Sequence, residues 1–228
     1  MLSGAAAQQR TIAMLPAFAE LLRQAVMQRG SVVECAGSAA VSLALALAAG
    51  PSLAGAWVGV AGLPQVGVAA AVELGVAPER LVMVAEPAQR FDDGQWAEVL
   101  AAMIDGFDVL LLGPGAHAVK AVTARRLVAR LQSRGAVLLS VASSGVVSSG
   151  VAPGVFGADL RFEAMDAVWQ GLGDGHGVAR GRRASVQLSG RRVPRPRRAE
   201  MWLPTADGAV EAVVSISGAV EVAVAGAV

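Results

Sequence analysis

Short apolar runs alternate along this chain with longer stretches whose apolar residues recur every three or four positions, and glycines punctuate the alternation. Val32 to Ala36, Ala56 to Ala61, Leu81 to Ala85, Phe107 to Leu112 and Ala136 to Ala142 read as buried strands. Between them, the Ala/Leu-rich stretch ending at Gly50, Leu63 to Leu74 closing at Gly75, Gln95 to Ile104 and Val122 to Arg134 read as helices. Strands and helices in this order predict an α/β domain, a mostly parallel sheet with right-handed crossovers and helices on both faces. After a Gly/Ser/Pro loop from Ser143 to Gly157 the pattern changes. Leu160 to Glu163, Ala184 to Leu188 and Glu200 to Leu203 alternate as short strands between Gly-rich turns, which predicts an antiparallel extension. At the other end, Ala5 to Arg29 reads as an amphipathic helix interrupted at Pro16, its stripe formed by Leu15, Phe18, Leu22 and Val26. The tail from Gly208 to Val228 alternates again, through Val210, Ala212, Val214 and Ile216 and then Val220, Val222 and Val224, as one or two added strands.

Composition sharpens this picture. The 228 residues suffice for one α/β domain with appendages or at most two small ones, and 54% hydrophobic content with 4% aromatic and no tyrosine describes an Ala/Val/Leu core. No apolar run approaches the ~20 residues of a bilayer span and no secretory signal is apparent, so a cytoplasmic protein with no membrane partner is expected. The single cysteine, Cys35, falls inside an apolar strand and reads as a small buried hydrophobe. A formal net charge of +1 hides an uneven distribution, with eight arginines between Arg180 and Arg198 and no cation after them.

The strand ending at Ala36, the turn Gly37-Ser38 and the helix that follows have the layout of a phosphate-binding loop. A working loop requires G-x-x-x-x-G-K-[ST], with a lysine against the nucleotide phosphates. Only Gly37 and Ser42 match, and the sole lysine of the chain is Lys120. Glu86 lies at a strand's carboxyl end, where open sheets place ligand groups. Asp108, which precedes an apolar strand, reads as a residue that caps or solvates its start.

In this order the elements resemble RecA-type recombinase cores. Gly30-Ser31-Val32-Val33-Glu34 is similar to the strand leading into the RecA phosphate loop, and Val72-Glu73-Leu74-Gly75-Val76 to the family's "LGV" helix end. Phe107 to Leu112 resembles its second nucleotide-site strand and Arg198 to Leu203 its last core strand. The resemblance implies a three-layer core over residues 30–204, preceded by a helical segment over 1–29 and followed by a strand-rich tail over 205–228. It also implies departures at the nucleotide site. The loop between Gly37 and Ser42 is about three residues short and lacks its lysine, Leu63 falls where the family has its catalytic glutamate, and Gly113 where it has the magnesium-associated aspartate. Cation, metal anchor and water-positioning group are all missing, so neither ATP hydrolysis nor any cofactor or metal is expected.

A RecA-like core of this length without its ATPase residues resembles the ImuA-prime branch of actinobacterial mutagenesis gene sets. That resemblance implies a DNA-damage-induced accessory protein of translesion synthesis. Its partner would be ImuB, a catalytically inactive relative of Y-family polymerases, working with an error-prone C-family replicative polymerase. Three readings follow. As an interaction protein, the chain would dock a partner through Leu15, Phe18, Leu22 and Val26, unless that stripe packs on its own domain. As a DNA-binding regulator of recombination or the SOS response, it would contact phosphates, or an acidic partner, through Arg191, Arg192, Arg195, Arg197 and Arg198. As a small-molecule enzyme it would use His117 or His176, although no nucleophile, base and acid set accompanies them.

Overall fold

The computed structural model describes residues 10–87, 90–142 and 154–213. The strands are β1 (Thr11–Ala13), β2 (Val26–Gln28), β3 (Val32–Gly37), β4 (Val58–Ala61), β5 (Leu81–Val84), β6 (Val109–Leu112) and β7 (Val137–Val141), then β8 (Leu160–Trp169), β9 (Leu172–Gly173), β10 (His176–Gly177), β11 (Arg182–Ser189), β12 (Arg197–Trp202) and β13 (Glu211–Ala212). The α-helices are α1 (Ala19–Leu22), α2 (Ala40–Leu53), α3 (Val68–Glu73), α4 (Asp93–Gly106) and α5 (Ala121–Arg134). A nine-stranded sheet in the order β13-β12-β11-β8-β3-β7-β6-β4-β5 organises the domain. Its half from β3 to β5 is parallel, as the apolar runs predict, and β11 to β13 are antiparallel. β8 joins the two halves, running parallel to β3 and antiparallel to β11, so the extension is grafted onto the core by one strand that belongs to both.

The helices cover both faces. On one, α2 and α3 bury Leu43, Leu47, Ala71 and Leu74. On the other, α4 and α5 bury Trp96, Leu100, Leu127 and Leu131. α4 starts at a capping box in which Asp92 accepts from the Gln95 backbone N–H and the Gln95 side chain accepts from that of Asp92. Helix boundaries differ from expectation in two places. α2 continues through Gly50 and Pro51 to Leu53. Gly50 instead admits the chain of Met14 and Leu15, since a Cβ there would sit 2.5 Å from the Leu15 nitrogen, and Gly55, at φ +94°, follows the helix end. α3 begins only at Val68, because Pro64 and Gly67 hold residues 63–67 as a turn.

The N-terminal segment is a correction. Residues 10–29 form a β1–β2 hairpin around one 3-10 turn (Pro16–Phe18) and the single turn of α1. Pro16 starts the 3-10 turn where its missing N–H costs nothing, and the chain reverses through Arg23, Gln24 and Ala25, all at positive φ. Leu15, Phe18, Leu22 and Val26 therefore lie in a compact turn and hairpin rather than along a helix. Residues 5–9 of the expected helix, most of the loop from Ser143 and the tail beyond Val213 lie outside the described residues. Among the described residues no helix is long and apolar enough to cross a membrane.

Candidate functional site

The parallel strands end together at the carboxyl edge of the sheet, which is where a nucleotide would meet the turn after β3. Gly37 has φ +90°, and a Cβ on it would lie 2.0 Å from the Ala164 carbonyl oxygen of β8. The Ser38 N–H donates to that same oxygen at 3.1 Å. A backbone N–H that would cradle phosphate is thus spent on the neighbouring strand. Above the turn stands Arg182 of β11. Its guanidinium donates to the Ser38 carbonyl at 2.7 Å and stacks 5.5 Å from the ring centre of Trp169, while its Nε is buried without an acceptor. Burial pulls its pKa below the usual arginine value. Arg182 was counted in the arginine-rich segment, but no local signal ties it to a turn 144 residues earlier. Ser42 is half-buried in the first turns of α2.

Two strands away, Leu63 and Gly113 face each other. Gly113 donates its N–H to the Ala61 carbonyl at 2.9 Å and passes so close to Gly62 that a Cβ on it would fall 1.8 Å from the Gly62 oxygen. No side chain fits at Gly113 unless the backbone moves, so the absence of an aspartate there is enforced by packing. Leu63 is buried, part of the core and of the wall of a cleft of about 460 Å³ that runs past Met83 to Glu86 and Arg90. Glu86 is therefore on the same edge as Gly113 and Gly115, with its carboxylate 3.4 Å from where a Gly115 Cβ would stand.

The other residues singled out from the sequence lie elsewhere. Phe18 is fully buried and meets Phe162 edge-on, with ring centres 6.2 Å apart. Leu15 and Leu22 pack against the same core and Val26 is half-buried, so this stripe covers its own domain. Of the arginines, Arg191 pairs with buried Asp159 at 3.2 Å and Arg192 donates to Gln28 at 2.5 Å. Arg197 caps α1 through the Leu21 carbonyl at 2.6 Å, and Arg198 hydrogen-bonds Ser185. Arg195 alone of the five is exposed without a partner among the described residues. Asp108 accepts from the Trp57 N–H at 3.1 Å, ahead of β4 rather than at the start of its own β6, and pairs with Arg29 at 3.2 Å. Burial, followed by the neighbouring Glu34 carboxylate, pushes the Cys35 thiol far up, which makes it inert. His176 is exposed at the start of β10, its Nδ1 3.1 Å from the Asp174 carbonyl oxygen, while the side chain of His117 lies outside the described residues. Among the described residues no group of three His, Cys, Asp or Glu could hold a metal.

The fold is a RecA-like α/β fold. The crystal structure of the RadB recombinase superposes with a TM-score of 0.56 at 15% identity, covering 82% of this chain and 92% of that one. The chain is also 33% identical over 155 residues to the uncharacterized protein Rv3395c of Mycobacterium tuberculosis, a match spanning 68% of this chain and 71% of that protein. The family model of the MT3502 N-terminal domain matches residues 20–145. The chain belongs to the MT3502 N-terminal domain family.

Proposed function

We propose that this chain is a non-catalytic RecA-like accessory protein of damage-induced translesion synthesis. In this reading it binds an ImuB-like inactive relative of the Y-family polymerases, through which it supports an error-prone C-family polymerase and reaches the nucleoid. The observation that carries the non-catalytic part is the contact between Gly113 and the Gly62 carbonyl, which leaves no room for a metal-anchoring carboxylate. Gly37 against the Ala164 carbonyl and Arg182 over Ser38 add to it. Triphosphate chemistry needs a cationic cradle and a metal. Support for the translesion role is the sequence resemblance to ImuA-prime. A core kept without its nucleotide groups is kept for its surfaces.

The test is co-purification of the chain with ImuB from the same genome at low and high salt, with and without Mg·ATP. A salt-resistant complex that ignores nucleotide is expected. Loss of the complex at every salt concentration would overturn the partner assignment, and a complex that forms only with Mg·ATP would overturn the non-catalytic reading.

A further inference from the structure

The amino edge of the sheet, opposite the nucleotide position, carries a cleft of about 350 Å³ lined by Arg10, Arg29, Arg134, Gln28, Gln132 and Ser133, with no apolar side chain in its wall. Three local features bring these residues together. The β1–β2 hairpin pairs Thr11 with Gln28 and fixes Arg10 through the bond from the Arg29 N–H to its carbonyl, at 2.8 Å. Gly30, at φ +77°, lets the turn into β3 pass the last turn of α5, where a Cβ would come 3.1 Å from the Gln132 Cα. Gly135, in the left-handed conformation, ends α5 beside Arg29. Arg192 reaches the rim from the β11–β12 turn by donating to Gln28.

The acidic groups nearby are already engaged. Asp108 holds Arg29, Asp105 holds Arg130 and Arg134, and Asp159 is shared by Arg191 and Arg192, so five guanidinium groups share three carboxylates. Arg10 has no partner among the described residues, and residues 1–9 contain no acid. The local field is cationic, the hydrogen-bond donors are in excess, and a protein partner would find no apolar anchor here.

From this juxtaposition we infer that the cleft binds the phosphodiester backbone of a nucleic acid. The ligand's oxygens accept from Arg10, Arg29 and Arg134, with the glutamines and Ser133 completing the polar wall. No tryptophan or phenylalanine lines the cleft, so bases are not stacked and contact is independent of sequence. The arginine run identified in the sequence contributes Arg192 at the rim, and the floor comes from residues scattered along the chain.

The test titrates the chain alone, which keeps it separate from the ImuB complex, against a fluorescently labelled mixed-sequence oligonucleotide, single-stranded and duplex, across a salt series. Expected is saturable binding whose log K falls against log[salt] with a slope of about −3. The double variant Arg10→Ala/Arg134→Ala should bind about tenfold or more weakly at low salt, with the slope reduced by about 2, and Arg195→Ala should stay within about twofold. Unchanged unfolding midpoints would confirm that both variants fold. Absence of binding at low salt, an equal loss in Arg195→Ala, or competition by polyglutamate as effective as that by unlabelled oligonucleotide would each overturn the assignment.

Discussion

The two edges of one sheet have opposite characters. At the carboxyl edge, backbone closes on backbone, with Gly37 against Ala164, Gly113 against Gly62 and a buried Leu63 beside them. At the amino edge the chain leaves an open cleft walled by arginines, glutamines and a serine, whose guanidinium groups outnumber the carboxylates that hold them. Both edges rest on the same strands, so the scaffold is common and only the turns differ. Other α/β proteins place ligands at this carboxyl edge; here main chain fills the turn after β3 and the Gly113 position, and the cleft beside Leu63, Glu86 and Arg90 stays open. Glycines make the closure possible. They permit approaches that any Cβ would forbid, and so they also prevent the nucleotide residues from being restored one at a time.

The largest expected effect concerns the N-terminal segment, which buries Phe18 in the core. Phe18→Ala should cost about 4 kcal/mol, because Phe18 fills the core against Phe162. Equilibrium unfolding in denaturant would show it, and an unchanged midpoint with a weakened partner complex would return this stripe to a docking role. Gly113→Asp should destabilise by about 3 kcal/mol or more while conferring no Mg·ATP binding, because the new Cβ overlaps the Gly62 oxygen. At the amino edge, Asp159→Ala should cost about 2–3 kcal/mol. It removes the acceptor of the Val32 N–H at 3.1 Å and releases Arg191 and Arg192. Gly37→Ala should cost about 2 kcal/mol through its positive φ and the contact with Ala164.

The smallest effect is electrostatic. The Asp105 carboxyl is held below its ordinary pKa, first by the hydrogen bond from Arg130, which outweighs the opposing desolvation, and then by the charges of Arg130 and Arg134. A depressed carboxylate pKa stabilises above the ordinary value, and that contribution is lost as pH falls through the lowered one. Asp105→Asn should therefore flatten the acid limb of the stability profile slightly, since these groups are exposed and screened.

Much of the parallel half was legible because its strands are continuous apolar runs between glycines, while the start of α4 at Asp93, behind the Asp92 cap, was read two residues late at Gln95. The RecA-like order of elements was legible for the same reason. The N-terminal segment was not, because three- and four-residue spacing of large apolar residues is met by a compact hairpin as well as by a helix, and Pro16 decides between them. Gly113 could be read as a missing aspartate, but not as a glycine enforced by Gly62, since that contact joins two adjacent strands distant in sequence. The arginine-rich segment suggested a patch by density alone. Its members instead serve Asp159, Leu21, Ser185 and Ser38, and the open cationic cleft is assembled from Arg10, Arg29 and Arg134, which no local window contains together.

Calorimetric titration of the purified chain with Mg·ATP tests the central claim most directly, since the turn after β3 lacks a cationic cradle and the Gly113 position lacks a metal-anchoring carboxylate. The account predicts no saturable heat up to millimolar nucleotide, in the chain alone and in its partner complex. Stoichiometric binding in the micromolar range, abolished by substitution of Arg182 or Ser38, would contradict it.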